Sequence, residues 1–188
     1  MAVLNGSRRA RLTGTLSLLL LAAVRASAQT PRSEYEVKAA YLLNFARYAV
    51  WPPAAPVGSS DDLVLCVLGH DPFGAVLDRT VAGRRVMGHG VRVLRPSSRA
   101  EAQLCRLAFI GGDRHAEIES WLSELRGRPV LTVGDGPGFA GAGGAIAFVP
   151  VDETVRFEVN LAALQRSGVR LSSRVLALAN RVSAGDDR

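Results

Sequence analysis

Gly136-Pro137-Gly138-Phe139-Ala140-Gly141 spells a literal GxGxxG after a stretch that reads as a strand. Such glycines hold a dinucleotide pyrophosphate only when a helix starts directly after them, because its free N–H groups and dipole bind the phosphates. Here the chain runs on as Gly143-Gly144-Ala145-Ile146-Ala147-Phe148, which reads as a strand, and Pro137 removes a backbone donor. The segment therefore reads as a flexible Gly-rich loop between two strands. No GK[ST] phosphate loop occurs, and no cofactor is expected. His70, His89 and His115 lack metal-ligand spacing, and no metal site is expected. His70 and His115 read as loop or helix-start residues, and His89 as a turn residue between Gly88 and Gly90. There is no G-x-S-x-G elbow. Asp61-Asp62 reads as a solvated strand approach and Glu117 with Glu119 as a solvated helix face, so no acid–base pair stands out. With no catalytic constellation, the chain is not expected to be an enzyme.

The remaining reactive groups are Cys66 and Cys105. Their redox state depends on compartment, which the N-terminal segment addresses. Arg8, Arg9 and Arg11 precede an apolar run from Leu12 to Val24, followed by the small-x-small site Ala26-Ser27-Ala28. This is the pattern of a cleaved signal peptide over residues 1–28, and the apolar run is short for a span of about 20 residues. The mature protein is expected outside the cytoplasm, in the periplasm of a Gram-negative cell. In an oxidising compartment an even cysteine count suggests a pair, with two buried free thiols as the alternative. Closing a loop of that length would stabilise the fold by about 4 kcal/mol in the chain-entropy model.

The leader also accounts for much of the positive charge. The formal net charge of +6 includes four leader arginines and no leader acid, which leaves +2 for the remainder. That near-neutral remainder has no basic run and gives no case for nucleic-acid binding. Roughly 160 residues are enough for one domain with a full core.

The elements that must position these residues begin at Glu34. EYEVKAAYLLNFARYAVWPP, from Glu34 to Pro53, reads as one long helix, apolar on most of its circumference and stopped by the double proline. Such a helix must be covered on several sides, by its own domain alone or together with a second chain. Leu63 to Gly69 is a continuous apolar run, as in a strand buried on both faces. A helix follows from Asp71-Pro72 to Gly83, then a strand from Val91 to Leu94. Ser98 with Glu101 resembles a capping box opening a brief helix. Leu107 to Ile110 and Val130 to Val133 read as strands around a helix from His115 to Arg126. Ala145 to Val151 and Val155 to Asn160 form a hairpin around Asp152-Glu153-Thr154. Helices at Leu161 to Arg166 and Ser172 to Val182 finish the chain, with a frayed tail over 183–188. The alternation predicts an α/β layered single domain over 34–182, with a mixed, mainly parallel sheet flanked by helices.

Seven segments, in order, resemble the YfiR family of small exported proteins. They are KAAYLLNFARYAVWP at Lys38, LCVLGHDPFG at Leu65, LCRLAFIGG at Leu104, LTVGD at Leu131, GGAIAFV at Gly143, VRFEVN at Val155 and LSSRVLALA at Leu171. The resemblance implies a periplasmic repressor. Such a protein binds the periplasmic sensor domain of an inner-membrane diguanylate cyclase and lowers cyclic-di-GMP signalling and biofilm formation. It further implies an outer-membrane lipoprotein that sequesters the repressor, a homodimer, and a disulfide matching Cys66 and Cys105. The type member's second cysteine pair has no counterpart here. The alternative function is a periplasmic small-ligand or sensor module not tied to a cyclase, with the Gly-rich loop as a lid.

A repressor needs a partner face. Val155, Phe157 and Val159 alternate with Arg156, Glu158 and Asn160, so the first set should face the core. Leu161, Leu164 and Gln165 lie just after. Glu158 and Leu164 are the candidate partner-binding residues, set against roles as a solvated strand residue and a core residue.

Overall fold

The computed structural model describes residues 33–53 and 62–185. The expected leader, residue Asp61 and residues 186–188 of the expected frayed tail lie outside them; the tail's first residue, Ser183, belongs to a strand.

The first helix, α1 (Glu34–Tyr48), starts at a capping box: Glu36 N donates to Ser33 Oγ at 3.3 Å, and Ser33 N donates back to a Glu36 carboxylate oxygen at 2.8 Å. The helix ends before the prolines. Ala49–Val50 leave it as a short strand, β1, antiparallel to β9 (Arg170–Leu171). The double proline therefore stops a strand exit, and the helix is shorter than its apolar run. Val50 and Tyr48 belong partly to the exposed surface.

The central sheet combines β2 (Leu63–Gly69), β3 (Arg85–Val86), β4 (His89–Leu94), β5 (Leu107–Gly111), β6 (Leu131–Asp135), β7 (Ile146–Val151), β8 (Thr154–Asn160) and β10 (Arg181–Ser183). Their order is β10-β8-β7-β6-β5-β2-β4-β3. Pairs β2–β4, β2–β5, β5–β6, β6–β7 and β8–β10 are parallel, while β3–β4 and β7–β8 are antiparallel. This is the α/β domain with a mixed, mainly parallel sheet that the sequence predicts. Within it, β4-β2-β5-β6-β7 runs in the doubly wound order 2-1-3-4-5, with its switch point between β2 and β5.

Alternation along the strands makes two cores. Leu65, Val67, Phe109, Val133, Phe148 and Phe157 face one side, where α1, α2 (Ala75–Val81), α6 (Leu161–Ser167) and α7 (Ser173–Leu176) pack. Val64, Cys66, Leu68, Ala108, Ile110 and Ala147 face the other, under α3 (Arg99–Ala102), α4 (His115–Glu124) and α5 (Gly138–Gly141). Strands buried on both faces are why the runs at Leu63 and Leu107 are continuously apolar.

Four local readings change. Arg85–Val86 pair with β4 as a hairpin, so His89 opens a strand and is not a turn residue. The helix after Asp71-Pro72 begins only at Ala75, because the Asp71 carboxylate accepts from Phe73 N and Gly74 N and holds the intervening turn. The expected helix over Ser172–Val182 is the single turn α7, after which Arg181–Ser183 add a parallel edge strand to β8. At α3, Ser98 caps Glu101 N, but the Glu101 carboxylate reaches back to Ser97 N, one residue short of a full capping box. In the β7–β8 hairpin, Asp152 and Glu153 both have positive φ, the two-residue turn whose twist matches the strands.

Candidate functional site

The GxGxxG segment forms the short helix α5, with Phe139 buried beneath it. A Cβ on Gly134 would lie 2.3 Å from the Phe139 ring, and one on Gly144 would lie 2.0 Å from it. These two glycines, one before the motif and one after it, seat an aromatic ring. The segment is neither a phosphate cradle nor a flexible loop.

The switch point is closed as well. Doubly wound sheets hold ligands in the crevice outside the carboxyl ends of the strands at that point. Here Gly69 and Gly111 stand in register, His70 N donates to Gly111 O at 3.1 Å, and a Cβ on Gly111 would lie 2.1 Å from His70 O. Phe73 folds over the end, 4.8 Å edge-to-face from Phe109 and 5.4 Å from Tyr35. Arg95 ties this corner down, at 2.7 Å from both Asp71 and Asp78. Hydrogen bonding from Arg95 holds the Asp78 carboxyl below its ordinary value.

Two strands away the same edge is open. A cavity of about 880 Å³ lies outside the carboxyl ends of β6 and β7, between the first turns of α1 and the β7–β8 turn. Its size is that of a small-molecule site, about 300–1,000 Å³. Tyr35, Tyr41 and Phe148 supply apolar walls, and Glu34, Lys38, Asp135, Glu153 and Arg156 supply charge. Lys38 is the pivot. Its side chain is 7% exposed, 2.7 Å from Asp135 Oδ1 and 2.5 Å from Glu34 Oε1. The ammonium also lies 4.7 Å from the Tyr35 ring centroid. Helical spacing puts Glu34 one turn before Lys38, and Asp135 ends β6 where α1 crosses it.

The pair is held in tension. Burial pulls the Lys38 ammonium down, but hydrogen bonds to Asp135 and Glu34 outweigh it and leave the group above its ordinary value. Burial pushes Asp135 up, and Lys38 offsets only part of that. Asp135 Oδ1 touches Lys38 but has no well-directed hydrogen bond. The two directions have different causes: Lys38 gains from two carboxylate partners, while burial, aided by the nearby Glu34 charge, outweighs what Lys38 gives back to Asp135.

The sequence candidates lie elsewhere. Cys66 on β2 and Cys105, just before β5, form a disulfide with Cα atoms 5.6 Å apart, buried in the second core. Glu158 pairs with Ala147 across the β7–β8 hairpin, which places it on the second-core side, half-buried. Leu164 is 5% exposed and packs in the first core. The fold thus does not gather Glu158 and Leu164 into one patch. Leu164 instead lines a groove of about 520 Å³ with Leu161, Gln165, Leu171 and Leu176. Trp51 donates its indole N–H to Arg106 O at 3.0 Å and packs on the first core. His115 lies 3.3 Å from Glu119 on the surface of α4. Among the described residues no group of His, Cys, Asp and Glu could hold a metal ion, and no helix is long and apolar enough to cross a membrane.

Lys38 and Asp135 were not singled out from sequence. The available signal was a lysine four residues after Glu34 on the apolar side of a helix, where a charge needs a partner.

A family described as YfiR/HmsC-like matches residues 35–180. Among solved structures, the chain is similar to the ABC domain in complex with L-Trp from Streptococcus pneumonia, at 12% identity and a TM-score of 0.45. The match covers 64% of this chain and 55% of that one, so the chain spans about half the length of that structure.

Proposed function

From the YfiR/HmsC-like family, to which this chain belongs, we propose that it is an exported periplasmic regulator that represses an inner-membrane diguanylate cyclase. It binds the cyclase's periplasmic sensor domain and holds it inactive, which lowers cyclic-di-GMP and biofilm formation. The family match over 35–180 carries this reading, since it takes in nearly every element of the domain. A regulator of this kind works through a surface. The closed switch point and the glycine-seated Phe139 are consistent with that, because they spend the usual ligand positions of the fold on packing.

The partner face is assigned to α6 and the groove beside it, where Leu161, Leu164, Leu171 and Leu176 are apolar and Gln165 is exposed. Glu158, on the neighbouring strand, faces the other side of the sheet and would need a separate contact with the partner. An outer-membrane lipoprotein that sequesters the regulator, and a homodimer, complete the proposed system.

The test is deletion of the gene, with cyclic-di-GMP measured in the cells. The level should rise, and an unchanged level would sink the repressor reading. Complementation with Gln165→Arg localises the face: the variant should fold normally and fail to restore repression. The open cavity favours a second reading, a small-ligand or sensor module without a cyclase. A neighbouring gene for a membrane protein with a GGDEF-type domain would count against that second reading.

A further inference from the structure

We propose that the cavity between α1 and the β7–β8 turn binds a small organic ammonium ion. This goes beyond the regulatory reading and does not depend on a cyclase. Three carboxylates, Glu34, Asp135 and Glu153, line the cavity against two cations, Lys38 and Arg156. Lys38 is already engaged: Glu34 Oε1 at 2.5 Å, Asp135 Oδ1 at 2.7 Å and the Tyr35 ring centroid at 4.7 Å surround its ammonium. The two carboxylates share that single charge, so the site is one cation short. Asp135 Oδ1 lies against Lys38 without a hydrogen-bond donor among the described residues, and the carboxylates of Glu34 and Asp135 both border the cavity. A bound ammonium has three donors to give to those carboxylates, and it would correct the half-shared pairing of Asp135.

The walls suit the rest of such a ligand. The Lys38 ammonium already sits over Tyr35 and 5.8 Å from the Phe148 ring centroid, so the lining stabilises a cation on aromatic faces in this geometry. Tyr41 continues that wall, 5.9 Å from Phe148. A primary amine with a compact apolar body fills the cavity, its head at Glu34 and Asp135 and its body along Tyr35, Tyr41 and Phe148. An anion in the same place would face three carboxylates, with the lysine already held by two of them and Arg156 the other cation of the lining.

Benzylamine, benzyl alcohol and benzoate share one body and differ in head-group charge, so they separate these cases. Titrated into the purified chain at neutral pH, benzylamine should bind at least about tenfold more tightly than the other two, the discrimination worth one good charged contact. It should raise Tm and shift the NMR resonances of Tyr35, Lys38, Tyr41 and Phe148. Glu34→Gln keeps the Lys38–Asp135 contact and should fold, and it should weaken benzylamine about fivefold or more. Asp135→Asn should weaken it further. Equal response to the three compounds, preference for benzoate, resonance shifts confined to other residues, or unchanged affinity in Glu34→Gln would each overturn the proposal. None of those results bears on the cyclase, whose repression is read separately by cyclic-di-GMP.

Discussion

The carboxyl edge of the sheet is shut at β2–β5 and open at β6–β7, and the two corners differ in what fills them. At the switch point two glycines let backbone meet backbone, and Phe73 covers the gap. Beneath it the Cys66–Cys105 disulfide joins the same pair of strands from the other face. Over β6 and β7 the filling is charged: a buried lysine, two carboxylates sharing it, and aromatic walls around an open space. The doubly wound topology alone would assign the ligand crevice to the first corner. Here the chain uses small residues to close that corner and lines the second, open corner with long polar ones. Topology names the edge, and side-chain volume decides where along it there is room.

The comparison is most easily broken at the closed corner. Gly111→Val would place a branched side chain where even a Cβ lies 2.1 Å from His70 O, a backbone atom that cannot swing away. The expected loss is about 3 kcal/mol or more, since the strands must separate or the His70 turn must lift. Urea unfolding measures it. Glu34→Gln at the open corner should cost less than about 1 kcal/mol, because Glu34 is 60% exposed and its ion pair is half in water. If the two variants were equally stable, the corners would not differ in packing as described.

The disulfide gives a smaller effect on the same side. Replacing both Cys66 and Cys105 by Ala should cost about 2–4 kcal/mol, through the unfolded chain and through two cavities in the second core. The cavity over β6 and β7 lies across the sheet from that core, so benzylamine affinity should stay within about twofold for the fraction that remains folded. Calorimetry on both proteins checks the two halves of this expectation. A disulfide-free protein as stable as the parent would show that the closed corner rests on packing alone.

What could be read from sequence follows the same division. The central strands were legible because burial on both faces leaves continuous apolar runs, as at Leu63–Gly69 and Leu107–Gly111. The β7–β8 hairpin was legible because Asp152-Glu153 interrupts alternating residues. Short pieces were not. Ala49–Val50 and Arg181–Ser183 are strands only because a neighbour in space supplies hydrogen bonds, and nothing local distinguishes them from the helices they follow. The glycines at 134 and 144 resisted reading because their role is a ring packed between them. Lys38 and Asp135 stand 97 positions apart in the numbering, so their contact exists only after α1 has crossed β6. Leu164 is a mixed case: the sequence allows both a partner face and a core position, and the packing of α6 buries most of its side chain while leaving it in the wall of the groove.

The smallest effect compares two aspartates, one from each corner, by the sign of their pH dependence. Asp78 is held below its ordinary value, chiefly by hydrogen bonding from Arg95. Its folded form releases the proton more readily than the unfolded chain, so its contribution is present above the unfolded pKa and is lost as pH falls through the folded one. Asp135 is held above its ordinary value, chiefly by burial. Its folded form binds the proton more tightly, so its charging weakens the fold as pH rises from the unfolded pKa to the folded one. Urea titrations between pH 3 and 7 should therefore diverge for the two neutral variants. Asp78→Asn should lose stability relative to the parent as pH rises, by less than about 1 kcal/mol because the pair is exposed. Asp135→Asn should gain relative to the parent over the same range, with Lys38 retained by Glu34. Slopes of the same sign in both variants would mean that Lys38 satisfies Asp135 as fully as Arg95 satisfies Asp78. The open corner would then lack the charge deficit that makes it a site for a cation.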